Sequence, residues 1–282
     1  MIFRLRRVIL QHLKNYRRSR LIKLRNSYLM RQRNVAVKLT EQPEFIISLT
    51  SIPNRFKTLA LVIESLTRQE LPANEIQLNL AHQDFSDLPS SIRATLEQSK
   101  VKIFSVDDWG PAKKLIPTLQ RSDLPVICVD DDLVYEPTLT LHLMIQAQLF
   151  PENVIASRTH KITKNRDGEI AAYSDWRKQY SKTNGPSPEL FATSGAGTLF
   201  KRDFFHKDVF DFALYKELAF YCDDLWWYFQ TIRNGVAVRR VPGAWPLNFI
   251  PGTQEQGLWR TGNKERNEVI LQNLLKKYGK PF

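Results

Sequence analysis

Short apolar runs, each followed by a polar turn and then by apolar residues three or four apart, set the rhythm of the chain from residue 45 to 130. Phe45-Ile46-Ile47-Ser48-Leu49-Thr50 reads as a buried first strand and Ser51-Ile52-Pro53-Asn54-Arg55 as a turn. Leu59, Val62, Ile63 and Leu66 then fall on one helical face. Glu75 to Leu80 and Val101 to Val106 predict a second and a third strand, with a short helix over Ile92 to Leu96 between them. Lys113 to Leu119 reads as helical, and Pro125-Val126-Ile127-Cys128-Val129 as a fourth, wholly apolar strand. Strand and helix alternate over 45–150, which predicts an α/β fold with a mainly parallel central sheet and helices on both faces.

Parallel sheets bind ligands beyond the carboxyl ends of their strands. That rule singles out Thr50 to Arg55, Asp107 to Lys114 and Asp130 to Asp132, three polar segments that each follow an apolar strand.

The first 42 residues follow another pattern. Ile2, Leu5, Ile9, Leu13 and Tyr16 recur at helical spacing among arginines and lysines, predicting a basic amphipathic N-terminal helix. Residues 1–40 carry 12 Lys/Arg and no Asp or Glu, which leaves 29 basic and 29 acidic residues for the rest of the chain. The net charge of +12 thus belongs to residues 1–40, which make up nearly all of a segment 1–42 ahead of the body 43–282. A uniformly basic nucleic-acid-binding domain has no such distribution, and no nucleic acid partner is expected. The arm suits an anionic membrane surface, where each basic side chain contributes about 1 kcal/mol; an arm that binds a partner protein or RNA and a transit peptide are the alternatives. No apolar run within it is long enough to span a bilayer. The location expected is the cytoplasmic face of a membrane, with the protein held there peripherally.

Cys128 and Cys222 sit in apolar stretches without metal-ligand spacing and read as reduced core thiols. The five histidines are scattered and read as structural or exposed. The chemistry therefore rests on carboxylates. Asp130, Asp131 and Asp132 repel one another and need a compensating cation or solvent. On an extended backbone Asp130 and Asp132 share a side, a donor pair for Mg²⁺ or Mn²⁺ shared with a diphosphate. Asp131 is the less certain member, and a solvated acidic turn is the plain alternative.

In Asp107-Asp108-Trp109-Gly110-Pro111-Ala112-Lys113-Lys114 the carboxylates suit a base or ribose, and Lys113 and Lys114 suit phosphates. Asp223-Asp224 heads an aromatic helix, so that one acid caps it while the other serves as a general base. Thr193-Ser194-Gly195-Ala196-Gly197-Thr198 permits close backbone approach, and Arg260 is placed to close over a phosphate.

Taken together, the opening strand with Thr50 to Arg55, the Gly110 to Lys114 turn, the Asp130 to Asp132 run and Asp223-Asp224 before tryptophan resemble bacterial glycosyltransferases of the GT-A fold, family 2-like. The resemblance covers about 45–260 and implies a nucleotide-sugar donor, UDP-linked first among the choices. It places the nucleoside near Thr50, Arg55 and Asp107 or Asp108, the divalent metal on Asp130 and Asp132, and the base at Asp224. Gln256-Gly257-Leu258-Trp259-Arg260 departs from the Gln-x-x-Arg-Trp motif of processive synthases, so one sugar per turnover is expected. The acceptor is then a glycan or a lipid-linked sugar in surface polysaccharide or lipopolysaccharide synthesis. A sugar nucleotidyltransferase, and a non-catalytic membrane- or RNA-binding protein acting through the arm, are the competing readings.

Overall fold

The computed structural model of the chain describes residues 43–243, 245–253 and 263–282. The basic arm and Arg260 lie outside the described residues. The strands are β1 (Ile46–Thr50), β2 (Glu75–Ala81), β3 (Val101–Val106), β4 (Val126–Val129), β5 (Val154–Ala156), β6 (Thr159–Lys161), β7 (Leu190–Ala192), β8 (Ala196–Phe200) and β9 (Val238–Arg240). The α-helices are α1 (Leu59–Thr67), α2 (His82–Ser86), α3 (Ser90–Gln98), α4 (Ile116–Arg121), α5 (Leu139–Leu149), α6 (Phe212–Leu218), α7 (Asp223–Arg233) and α8 (Asn263–Tyr278).

Seven strands form one sheet in the order β3-β2-β1-β4-β8-β5-β9, and β6 and β7 form a separate antiparallel pair. Within the large sheet β8 alone runs antiparallel to its neighbours β4 and β5. Every other pairing there is parallel. The expected mainly parallel sheet is the one observed.

Alternation along β4 shows how both faces are used. Ile127 and Val129 pack with α1 and α5 through Leu59, Ile63, Leu66 and Leu143, whereas Val126 and Cys128 join the opposite core with Leu225, Trp226 and Trp227 of α7. On α1 the buried residues Leu59, Val62, Ile63 and Leu66 are the ones whose spacing predicted the helix. The segment read as one helix over Lys113 to Leu119 divides: Gly110–Lys114 is a 3-10 turn and α4 starts at Ile116. Pro111 and Pro117 each occupy an early helical position, where the missing N–H costs little. That break brings both Lys113 and Lys114 to the strand ends. Among the described residues no helix is long and apolar enough to cross a membrane.

Candidate functional site

The carboxyl end of β4 releases the chain into Asp130, after which Asp131 and Asp132 form a turn. The extended geometry expected of the run does not occur: Asp131 and Asp132 form a turn, and residues 247–250 run alongside the segment that follows it. Ile250 N–H donates to Asp132 O (2.9 Å) and Val134 N–H to Asn248 O (2.9 Å). The turn sends the three carboxylates to different partners. Asp131 accepts from Ser51 Oγ at 2.6 Å and from Arg55 Nη1 at 2.5 Å. Arg55 also pairs with Asp132 at 3.2 Å and donates to Thr253 O at 3.3 Å. Asp130 instead takes Lys114 Nζ at 2.7 Å.

Lys114 is the centre of the arrangement. Its buried ammonium also meets Asp223 at 3.1 Å, so it joins the end of β4 to the first turn of α7. Burial opposes the charge, but Asp130, Asp223 and Asp224 together outweigh it and hold the pKa of Lys114 well above its ordinary value. The expectation that Lys113 and Lys114 lie ready for phosphates meets a different geometry. Lys114 is engaged by these two carboxylates, and Lys113 binds Asp108 at 2.5 Å.

Asp224 occupies the opposite wall. It accepts from the Ser194 N–H (3.0 Å) and the Ser194 hydroxyl (2.5 Å). Burial pushes its pKa up to about 7, and the neighbouring Asp223 adds to the rise. A cavity of about 10 Å³ beside it is lined mostly by apolar and aromatic side chains, among them Ala192, Phe200, Trp227 and Tyr228. A carboxyl that titrates near neutrality is suited to general base chemistry.

The small-residue stretch admits a side chain of the protein itself: the carboxylate of Asp130 lies where a Gly195 Cβ would stand. Tyr135 secures the contact, since its hydroxyl accepts from Asp130 N–H at 2.6 Å and reaches Gly195 O at 2.6 Å. Ser194 and Gly195 thus position one aspartate each.

The remaining expected residues lie farther out on the rim. Thr50 donates through its hydroxyl to Asn79 O at 2.7 Å. Asp107 is exposed and 3.2 Å from His82, whose other ring nitrogen is 2.7 Å from Ser105 Oγ. Sequence reasoning passed over Tyr135 and Arg158. Neither belongs to a motif: one is a tyrosine in an apolar stretch, the other an isolated arginine after β5. Arg158 donates to Thr193 Oγ1 at 2.8 Å and lies in the fields of Asp224, Tyr173 and Asp130.

Five carboxylates (Asp130, Asp131, Asp132, Asp223, Asp224) thus stand around three cationic side chains, Arg55, Lys114 and Arg158. This acidic excess fits a divalent cation that uses one or two carboxylates and completes its shell from a diphosphate and water. Among the described residues no group of three or more His, Cys, Asp or Glu forms a metal cage made by protein alone.

Comparison of the sequence with protein-family models and with characterised proteins gives no match. Solved structures do match. S. aureus TarS 1-349 superposes with a TM-score of 0.50 at 12% identity, over 83% of this chain and 72% of that one. The same fragment in complex with UDP gives 0.46 at 15% identity, over 82% and 65%. 4-Diphosphocytidyl-2C-methyl-D-erythritol synthase from Anaerococcus prevotii gives 0.47 at 14% identity, over 80% and 100%. The chain has a GT-A type fold.

Proposed function

We propose that the protein is a glycosyltransferase that moves a sugar from a nucleotide-sugar, UDP-linked first among the candidates, to a hydroxyl of a glycan or lipid-linked acceptor. The observation that carries this reading is Asp224: a buried carboxyl titrating near 7, fixed by two hydrogen bonds from Ser194, facing the aspartates at the end of β4 across Lys114. In this reading Asp224 takes the proton of the acceptor hydroxyl as its oxygen bonds to the anomeric carbon, and the bond from that carbon to the diphosphate breaks. Asp130 and Asp132 are the residues that would hold a divalent ion, Mn²⁺ or Mg²⁺, and such an ion would supply positive charge to neutralise the departing nucleoside diphosphate. Arg55 pairs with both Asp131 and Asp132 and so fixes the turn that follows Asp130. Thr50, Asp107 and Asp108 flank the nucleoside at the ends of β1 and β3.

Nucleotidyl transfer to a sugar phosphate is less well supported. A phosphate nucleophile is already ionised at neutral pH and gives Asp224 no proton to remove. The basic arm supports a working place on the cytoplasmic face of an inner membrane, in surface polysaccharide or lipopolysaccharide synthesis, with one sugar added per turnover.

A panel of UDP-, GDP- and CMP-sugars tests this by thermal shift with and without Mn²⁺, since a ligand that binds only the folded state stabilises it. One nucleotide class is expected to raise the melting temperature in a Mn²⁺-dependent way, and Asp132→Ala to abolish the Mn²⁺ dependence. No shift with any donor would refute the reading. Mn²⁺-dependent binding that survives Asp132→Ala would remove the aspartate run from the metal site.

A further inference from the structure

Arg55 and Lys114, the other cations of the site, each contact two carboxylates. Arg158 contacts none. It follows β5, its carbonyl accepts the Thr193 N–H at 3.2 Å, and its side chain folds back so that Nη1 reaches Thr193 Oγ1 at 2.8 Å. A guanidinium has five N–H donors in a rigid fork. Thr193 engages one of them, Nε is buried without a hydrogen-bond partner, and no ion pair among the described residues includes Arg158. Burial lowers its pKa, and the more distant charges of Asp224 and Asp130 do not make up the loss. Burying such a cation without a direct counter-charge is costly unless something else supplies one.

The position of Arg158 indicates what would supply it. Thr193, which it grips through both backbone and side chain, immediately precedes Ser194, which holds Asp224. If Asp224 is the base, that side of the cleft faces the acceptor and the sugar being transferred, and the leaving diphosphate lies beyond the sugar. We propose that Arg158 binds an oxyanion, a phosphate or a carboxylate, carried by the acceptor or by the transferred sugar. The inference rests on the reading of Asp224 given above. Without Arg158 the acidic excess of the cleft would repel such a group. With it, the guanidinium donors that Thr193 does not engage can give the charge-assisted hydrogen bonds that oxyanions accept. Pinning the 193–195 loop needs only the Thr193 bond and leaves the other donors unexplained.

The experiment compares wild type, Arg158→Gln and Arg158→Lys as full chains with Mn²⁺, by calorimetric titration. The probes are UDP-glucuronate against UDP-glucose, glucose 6-phosphate against glucose, and UDP alone. One anionic probe is expected to bind wild type about 10-fold or more tightly than its neutral partner. Arg158→Gln loses that preference, Arg158→Lys keeps part of it, and UDP affinity stays within about twofold of wild type in both. Which pair shows the preference identifies the source, donor sugar or acceptor. The proposal is overturned if wild type prefers neither anionic probe, if Arg158→Gln keeps the preference, or if UDP affinity falls in parallel. Failure of wild type to bind UDP or either UDP-sugar would count against the glycosyltransferase reading alone. A phosphate preference that depends on Arg158 would stand without it.

Discussion

The carboxylate of Asp130 fills the space that a side chain on Gly195 would need. The two residues come together because β8 turns back antiparallel to β4. Gly195 is thereby fixed by the position of a site carboxylate and not by a left-handed backbone. Gly195→Ala is expected to displace Asp130 from Lys114. Such a displacement lowers turnover on the order of 100-fold, because misplacing a reacting or ligating group by about 1 Å has that effect. Overpacking adds a stability loss of about 1–3 kcal/mol. Turnover and urea unfolding measured together check both; a variant with wild-type turnover would show that Asp130 has no part in the reaction.

Lys114 holds the two walls of the site together. Lys114→Met leaves Asp130 and Asp223 facing each other without their shared cation, and breaking a buried pair in this way costs about 3–5 kcal/mol. The lysine charge also restrains the pKa of Asp224. The pH at which activity reaches half its maximum should therefore move to alkaline values in the variant. Denaturant unfolding reads the first effect and a pH–rate profile the second. Reduced stability with an unmoved profile would separate Lys114 from the base.

Asp224 links stability and activity in opposite senses. Its pKa in the folded protein is raised to about 7 from its ordinary value of 3.8, chiefly by burial. Between those values the unfolded chain has released the proton and the folded chain still holds it, so stability falls as pH rises through this window. Activity rises over the upper part of the same window, where the base ionises. Asp224→Asn keeps an acceptor for Ser194 and removes the titration. It should be inactive, and its melting temperature should gain on wild type between pH 5 and pH 8. A constant difference across that range would contradict the raised pKa.

The parallel half of the fold is plain in the sequence because each of its strands is a short segment rich in apolar residues, wholly apolar in β4 and interrupted by single polar residues in β1, β2 and β3. β3 coincides with the segment expected, and β1, β2 and β4 lie within a residue of theirs. β5, β6, β7 and β9 have three residues each, too few for a period to show, and they are held by long-range pairing. In the site the carboxylates are conspicuous by their adjacency, whereas the groups that compensate them come from distant segments. Arg55 is 76 residues from Asp131, and Ser194 is 30 from Asp224. The assignment of Lys114 to phosphate shows the limit: spacing places it at the rim, but only the fold brings Asp130 and Asp223 to either side of it.

His160 gives the protein an acid-sensitive element outside the chemistry. Its ring is buried on β6 beside Phe191, and Nδ1 accepts the Gln179 N–H at 3.2 Å, a role open only to the neutral imidazole. Burial, with Arg158 and Lys178 nearby, lowers its pKa from 6.5 to about 3. Between these values the unfolded chain binds a proton that the folded chain does not, so stability is present above 6.5 and is lost as pH falls. At pH 5 this one group should cost about 2 kcal/mol relative to neutral pH. His160→Asn retains an acceptor near the Nδ1 position and cannot titrate. The difference in unfolding free energy between wild type and variant should therefore shrink by about that amount from pH 7.5 to pH 5. A difference that stays constant would mean that the ring takes up its proton without leaving the core.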